Sequence, residues 1–191
     1  MQANRSQATH DFPVIPPPTY AIAFLVLTGG VVPFLIIAGL LWFGRMDMGG
    51  LVRFLPAVVI VALVLGTLLL AMKRRSVQLA GSVLDVRAAI FHERTPIADI
   101  DLERARVVDL AERMDLRPAV KTMGMSLPGF NAGHFRLLGK LAKAFCLITD
   151  RRRVLWLPLR NGKDQLLLSV ERPQALLDAL HVAMDGHARR A

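Results

Sequence analysis

The stretch Tyr20 to Phe43, YAIAFLVLTGGVVPFLIIAGLLWF, followed by Phe54 to Met72, FLPAVVIVALVLGTLLLAM, decides how this chain is read. Neither run contains an ionisable Asp, Glu, Lys, Arg or His. As helix at ~1.5 Å per residue, the first reaches ~36 Å and crosses a ~30 Å hydrocarbon core with tilt. The second reaches ~28 Å, just enough to span. Between them, Gly44 to Arg53 carries Arg45, Asp47 and Arg53 with Gly49 and Gly50, a composition that turns the chain at a surface. The expected architecture is a membrane α-hairpin over residues 20–72, preceded by a Pro-rich tail (1–19) and followed by one domain (73–185) and a short C-terminal tail (186–191).

The spans carry their own local signals. Gly29, Gly30 and Pro33 are expected to loosen or kink the first helix, and Thr28, Gly29, Gly30, Ala38 and Gly39 give it a small-residue surface. Ala62 and Gly66 offer a matching surface on the second helix, where Pro56 is expected in the first turn. The absence of charge within either span argues against a proton relay or an ion pathway. Ahead of them, Pro13 and Pro16 to Pro18 predict an extended arm, and the long apolar run with a second span behind it reads as a retained anchor, not a secretory signal.

Charge sets the orientation. The formal net charge is +9, and from Lys73 onward 21 Lys and Arg stand against 13 Asp and Glu. Lys73, Arg74, Arg75 and Arg87 follow the second span closely and Arg5 precedes the first, whereas the turn holds Arg45 and Arg53. This distribution places both termini in the cytoplasm of a multi-pass inner-membrane protein. The single Cys146 permits no internal disulfide and fits a reducing compartment.

Beyond the spans, short β-branched or alternating runs predict strands at Val77 to Ala80, Val83 to Phe91 and, in the middle of Asp101 to Met114, at Ala105 to Leu110. That last segment also shows helical spacing. Met123 to Lys140, with Gly124, Gly129, Gly133 and Gly139, reads as a turn-rich connection. It misses the spacing of a phosphate-binding loop, since five residues separate Gly133 from Gly139 and Leu141 follows Lys140. Ala144 to Thr149, Val154 to Leu159 and Gln165 to Val170 predict three antiparallel strands, joined by Asp150 to Arg153 and by an Asn161-Gly162 hairpin turn. Pro158 implies a bulge or an exposed edge. A last helix, Pro173 to Met184, presents Leu176, Leu177, Leu180 and Met184 on one face and is expected to stop at Gly186.

Several of these segments together resemble a known family. They are Thr95 to Ile100, Gly124, Leu127-Pro128-Gly129, Gly133, Phe135, Leu147 to Asp150, and Leu168-Ser169 through Arg172-Pro173. From about Val83 to His181 the chain resembles the bacterial pleckstrin-homology (PH-like) membrane protein family. The resemblance implies a split, strongly bent antiparallel sheet capped by the C-terminal helix, used to bind or scaffold and not to catalyse. Some eukaryotic relatives bind phosphoinositides through a basic loop between the first two strands. Here the matching stretch, Ala88 to Pro96, supplies only Arg94 with His92 and Glu93.

The candidate contacts for anionic lipid or a protein partner are Lys73, Arg74, Arg75, Lys140, Lys143, Arg151, Arg152 and Arg153. A solvated turn is the plainer reading of the three consecutive arginines. No catalytic, metal or cofactor residues are expected: the five His do not pair at ligand spacings, and Ser126, Ser169 and Cys146 lack a nucleophile motif. The expected function is a membrane-anchored, non-catalytic binding or scaffold module at the cytoplasmic face. The alternative is an accessory subunit or enzyme of envelope lipid metabolism. Expected partners are the bilayer, anionic headgroups, and a protein partner or a second copy. Nucleic acid ranks lower, because the basic charge is spread out and aromatics make up 6% of the chain.

Overall fold

The computed structural model describes residues 9–44, 48–139 and 142–188. Two helices long and apolar enough to cross a membrane run over Thr19–Trp42 and Phe54–Lys73. The first is built from α1 (Thr19–Val26), a π-helical turn (Leu27–Val31) and α2 (Val32–Trp42). Proline 33 explains the widened turn. It has no N–H and its ring crowds the carbonyl four residues back, so the helix bulges and Val32 N donates to Leu27 O five residues back.

The second span belongs to α3 (Met48–Lys73), which begins ahead of the expected boundary and leaves Pro56 inside the helix, not in its first turn. Gly29 and Gly30 are where the helices meet: a Cβ on Gly29 would stand 3.3 Å from Leu65 Cδ1. Gly66 does not join this contact, since a Cβ there would meet nothing within 4 Å. Small residues matter only where they face the neighbour, and composition does not reveal the facing. The outer surfaces are apolar and exposed, as in Phe34, Leu35, Ile60 and Leu63.

The remaining chain forms two sheets and a helix. The first sheet, in order β1-β2-β3-β4, is antiparallel: β1 (Thr9–Phe12), β2 (Arg75–Ala80), β3 (Val83–Ala88) and β4 (Phe91–Pro96). Its first strand is the Pro-rich arm, extended as expected but recruited as a strand, with Thr9 opposite Ala80 and Phe12 opposite Val77. Farther along, Val14 bridges Val170, Ile15 N donates to Ser169 O and Glu171 N to Pro13 O. The expected single strand Val83 to Phe91 is two strands. Ala89 adopts φ +58° and the chain reverses over Ala89-Ile90, returning Phe91 opposite Ala88.

The second sheet holds β5 (Arg106–Val108), β6 (Pro118–Leu127), β7 (Phe130–Leu137), β8 (Lys143–Ile148), β9 (Val154–Pro158) and β10 (Asp164–Leu168). Their order in space is β5-β9-β10-β8-β7-β6. Strand was therefore the right reading for the middle of Asp101 to Met114. The glycine-rich segment is no loose connection but a long hairpin, β6–β7. Its glycines lie at close approaches: Gly124 is directly opposite Gly133, and a Cβ on Gly133 (φ +114°) would stand 2.5 Å from Met123 O.

The expected run of three antiparallel strands is also corrected. β9 pairs antiparallel with β10 through the Asn161-Gly162 hairpin, yet β10 pairs parallel with β8, so β10 lies between β8 and β9. The Asp150–Arg153 segment is thus a crossover, not a hairpin turn. Ser169 pins it at the end of β10: its Oγ accepts from Thr149 N (3.2 Å) and Asp150 N (3.3 Å) and donates to Asp150 O (2.9 Å). Pro158 is the last residue of β9, beyond the reach of β5, which pairs only with Val154 to Trp156. The expected bulge or exposed edge is not found there: register with β10 is unbroken, Pro158 is buried, and the segment before β5 covers this side, with Asp101 N donating to Pro158 O (2.9 Å) and Ile100 bridging Leu159.

Alternation along the strands of the second sheet feeds two cores. Phe145, Leu147, Leu155, Leu157, Leu166 and Leu168 face the first sheet and α4 (Pro173–Ala188), meeting Leu84, Val86, Leu176 and Leu180. Cys146, Ile148, Val154, Trp156 and Leu167 face the other way, where the loop after β5 covers them with Leu110 and Leu116. Helix α4 packs as expected through Leu176, Leu177 and Leu180, but continues through Gly186 to Ala188. Ala21, Ala71 and Met72 are buried in the first of these cores, so the roots of both spans belong to the folded domain.

Candidate functional site

The second sheet has two dissimilar ends, and basic side chains collect at both. One end abuts the two long apolar helices. There the β6–β7 turn meets the start of α1, where a Cβ on Gly129 would overlap the Tyr20 phenol. β7 begins at this turn and its Asn131 lies opposite Ile148, so the C-terminal end of β8 is on the same side. Arg151, Arg152 and Arg153 follow it, all exposed and level with Ser169, which also holds the arm leading into α1.

The exit of α3 completes this helix-side rim. Lys73 and Arg74 are exposed. Arg75 is half-buried and differs in kind: its Nη1 donates to Met72 O (2.9 Å), capping the last turn of α3. Burial holds the Arg75 guanidinium below its ordinary pKa. Beside it, Arg74 O accepts from Ala89 N (2.9 Å), which ties the β3–β4 turn to the first residues after the span. The tip of that turn is Ile90, 74% exposed. Sequence reading missed it as a surface residue, because a lone Ile in an apolar run looks like core. A helix exit, two cations and an exposed isoleucine thus adjoin one another.

On the outer face of the first sheet, Asp85 gathers the cations of the β3–β4 hairpin. His92 Nε2 lies 2.7 Å and Arg94 Nε 3.2 Å from its carboxylate, and Arg87 3.7 Å. The His92 and Arg94 of the family-like stretch are therefore engaged with a carboxylate already.

The other end of the second sheet, where β8 and β10 begin, is concave on both faces. Arg136, Lys143 and Asp164 form a row across β7, β8 and β10. On the face toward the first sheet, a cleft of about 520 Å³ is lined by Glu93, His134, Phe145 and this row. His134 and Phe145 make an edge-to-face pair there, with ring centroids 5.0 Å apart. On the opposite face a second cleft, about 650 Å³, brings in Arg104, Arg113, Lys163 and Trp156.

The second cleft is framed by specific bonds. Trp156 Nε1 donates to Gln165 Oε1 (2.7 Å), and the guanidinium groups of Arg106 and Arg113 lie 5.2 and 5.7 Å from the indole. Arg113 also forks onto Asp115 (2.9 and 2.8 Å), which holds that carboxyl below its ordinary pKa and Arg113 above its own. Asp164 accepts from Asn161 Nδ2 (2.8 Å), while Asn161 Oδ1 accepts from the backbone N–H of Lys163 and Asp164.

The eight expected contact residues therefore do not form one site. Lys73, Arg74 and Arg151–Arg153 lie at the helix-side rim, Arg75 serves as a cap, and Lys143 stands at the far end, six strand residues or ~17 Å away. Lys140 lies outside the described residues. Lys163, which sequence reading did not select, joins Lys143 because β8 and β10 start side by side, and Arg104 and Arg113, also unselected, come from the segments flanking β5. Among the described residues no group of three His, Cys, Asp or Glu is placed to hold a metal ion. The Cys146 thiol is fully buried and pushed up in pKa by burial.

No protein-family model matches the chain, and no curated protein or solved structure is significantly similar to it.

Proposed function

We propose that the chain is a membrane-anchored, non-catalytic binding module of PH-like type, which presses a basic rim onto the cytoplasmic leaflet of a bacterial inner membrane, with both termini cytoplasmic. The carrying observation is the root of the hairpin. Ala21, Ala71 and Met72 are core residues of the domain, and the arm before α1 is a strand of its first sheet. Such a domain cannot swing away on a linker, so the side chains at its helix-side rim are presented to lipid headgroups continuously. Lys73, Arg74 and Arg151–Arg153 supply charge there, each worth ~1 kcal/mol near an anionic surface. Ile90 supplies an apolar tip. Two sheets with a C-terminal helix support the PH-like reading in general shape, although the parallel β8–β10 pair departs from a simple meander.

The test uses the full chain in nanodiscs of phosphatidylcholine with or without phosphatidylglycerol. Spin labels are placed singly through Ile90→Cys and Arg152→Cys, the native Cys146 being sealed in the core. The expected result is a lipid-contacting label at 90 and a label at 152 that becomes less water-accessible when the anionic lipid is included. Labels equally water-exposed at both positions in both lipids overturn the reading.

The alternative, an enzyme or accessory subunit of envelope lipid metabolism, draws support from the cleft holding Glu93, His134, Arg136 and Lys143, a concave site with several convergent polar groups. Its position at the end of the sheet away from the helices favours the binding module.

A further inference from the structure

The two sheets touch near the helices and part beyond. Phe91, the first residue of β4, lies against Gly133 of β7, where an added Cβ would stand 3.1 Å from the Phe91 ring. Both strands lead away from the helix-side turns, and past this contact they open onto the cleft of about 520 Å³ between the sheets. Glu93 of β4 and His134 of β7 line it from the two sides, over an apolar floor of Phe145, Leu159 and Leu166. Among the described residues Glu93 makes no hydrogen bond or ion pair, and His134 gives its ring to Phe145 but pairs neither ring nitrogen. Both side chains are half-buried, which makes a missing partner costly. Lys143, at the rim, is exposed and likewise pairs with no carboxylate. Arg136 already has a partner, and Asp164 accepts from the Asn161 amide (2.8 Å) while keeping its charge. Counted by sign, the described lining residues hold two carboxylates, Glu93 and Asp164, and two cations, Arg136 and Lys143. Unpaired groups of both signs therefore face one apolar floor, with no excess of either.

We propose that this cleft binds a zwitterionic small molecule with an apolar side group, of the amino-acid or dipeptide class. Balanced charge selects a ligand that carries both signs. The Glu93 carboxylate receives its ammonium group, and the Lys143 ammonium meets its carboxylate. Phe145, Leu159 and Leu166 take the apolar side group out of water. The neutral His134 imidazole, with one donor and one acceptor nitrogen, bonds the polar atoms between the two charges. A volume of about 520 Å³ lies within the range of small-molecule sites. The cleft opens at the end of the sheet away from the helices, so the ligand is drawn from solution and not from the bilayer. This assignment stands independently of the lipid contacts at the rim.

The test is calorimetric titration of the full chain in phosphatidylcholine nanodiscs, with L-leucyl-L-leucine as the probe. Saturable binding is expected, and N-acetylation or C-amidation of the dipeptide should each raise the Kd at least about tenfold, because one charge-assisted contact is lost. Glycylglycine, which lacks the apolar side groups, should also bind at least about tenfold more weakly. Glu93→Gln is expected to weaken the free dipeptide by the same factor as N-acetylation, yet to leave the N-acetylated form within about twofold of its binding to the parent. Lys143→Gln should behave in the same way toward the C-amidated form. Glu112→Gln, at an exposed position outside the cleft, should change nothing by more than about twofold. The proposal is overturned by no saturable heat up to about 10 mM dipeptide, weaker than a specific site of this size. It is also overturned if the parent binds free and blocked dipeptides alike, or if Glu93→Gln weakens both forms equally. The blocked ligands test the parent chain itself, so a variant that fails to fold does not shield the proposal.

Discussion

At the helix-side end of the second sheet, three consecutive arginines follow β8, a buried serine pins the backbone of Thr149 and Asp150 just before them, and the core behind them runs on into the roots of two apolar helices. At the far end, five cations and three carboxylates among the described residues line clefts on either side of the strands. Both ends are basic. The first is carried by packing against the helix roots, whereas the second is a concavity framed by turns. Charge alone, read along the chain, merges the two; the strand direction separates them.

The widest separation between the ends is expected in stability. Met72→Ala removes a core side chain at the root of α3 and is expected to destabilise the full chain in detergent by about 2–5 kcal/mol, read by chemical unfolding. Lys143→Ala at the far end should stay within about 0.5 kcal/mol. If Met72→Ala is tolerated equally well, the helices are only a tether and the rim loses its fixed position. Next comes Ser169→Ala, which strips a buried hydroxyl from two backbone donors and one acceptor, an expected loss of about 1–3 kcal/mol. Hydrogen exchange should accelerate at 149–153 and not at 161–164, which would confirm that the arginine crossover is held separately from the cleft.

The smallest effect is expected at Asp115→Asn. Its partner Arg113 lowers the carboxyl pKa from the ordinary 3.8, so the contact stabilises the fold above that value and is lost as pH falls through the depressed folded value. Because the pair is largely exposed, the difference from the parent at pH 7 should be below about 1 kcal/mol and vanish in stronger acid. A difference that persists unchanged at low pH would show that Asp115 acts through packing with Gly139 instead.

Hydropathy made the spans legible because ionisable groups are excluded from lipid whatever surrounds them. The kink at Gly29, Gly30 and Pro33 was legible for a similar reason, since a missing N–H is a local fact. Partnership was not. Gly124 and Gly133 look like turn residues until each is placed opposite the other across β6–β7. The four residues Thr-His-Asp-Phe of β1 carry no apolar alternation; they become a strand because β2 offers an unpaired edge beside them. The arginine turn resembled a hairpin loop because neighbouring strands usually pair, and only the later arrival of β10 shows that these do not. The cleft was hidden for the same reason, since Lys143 and Lys163 lie twenty positions apart and meet only through that parallel pairing.

The placement of β10 also orders events during synthesis. The ribosome releases the spans first and the strand at the middle of the sheet almost last, so a nascent chain halted before Asp164 has β8 and β9 each lacking a neighbour. Under the proposed function the two apolar helices would by then have entered the bilayer, and the half-built sheet would wait beside it with the facing edges of β8 and β9 open.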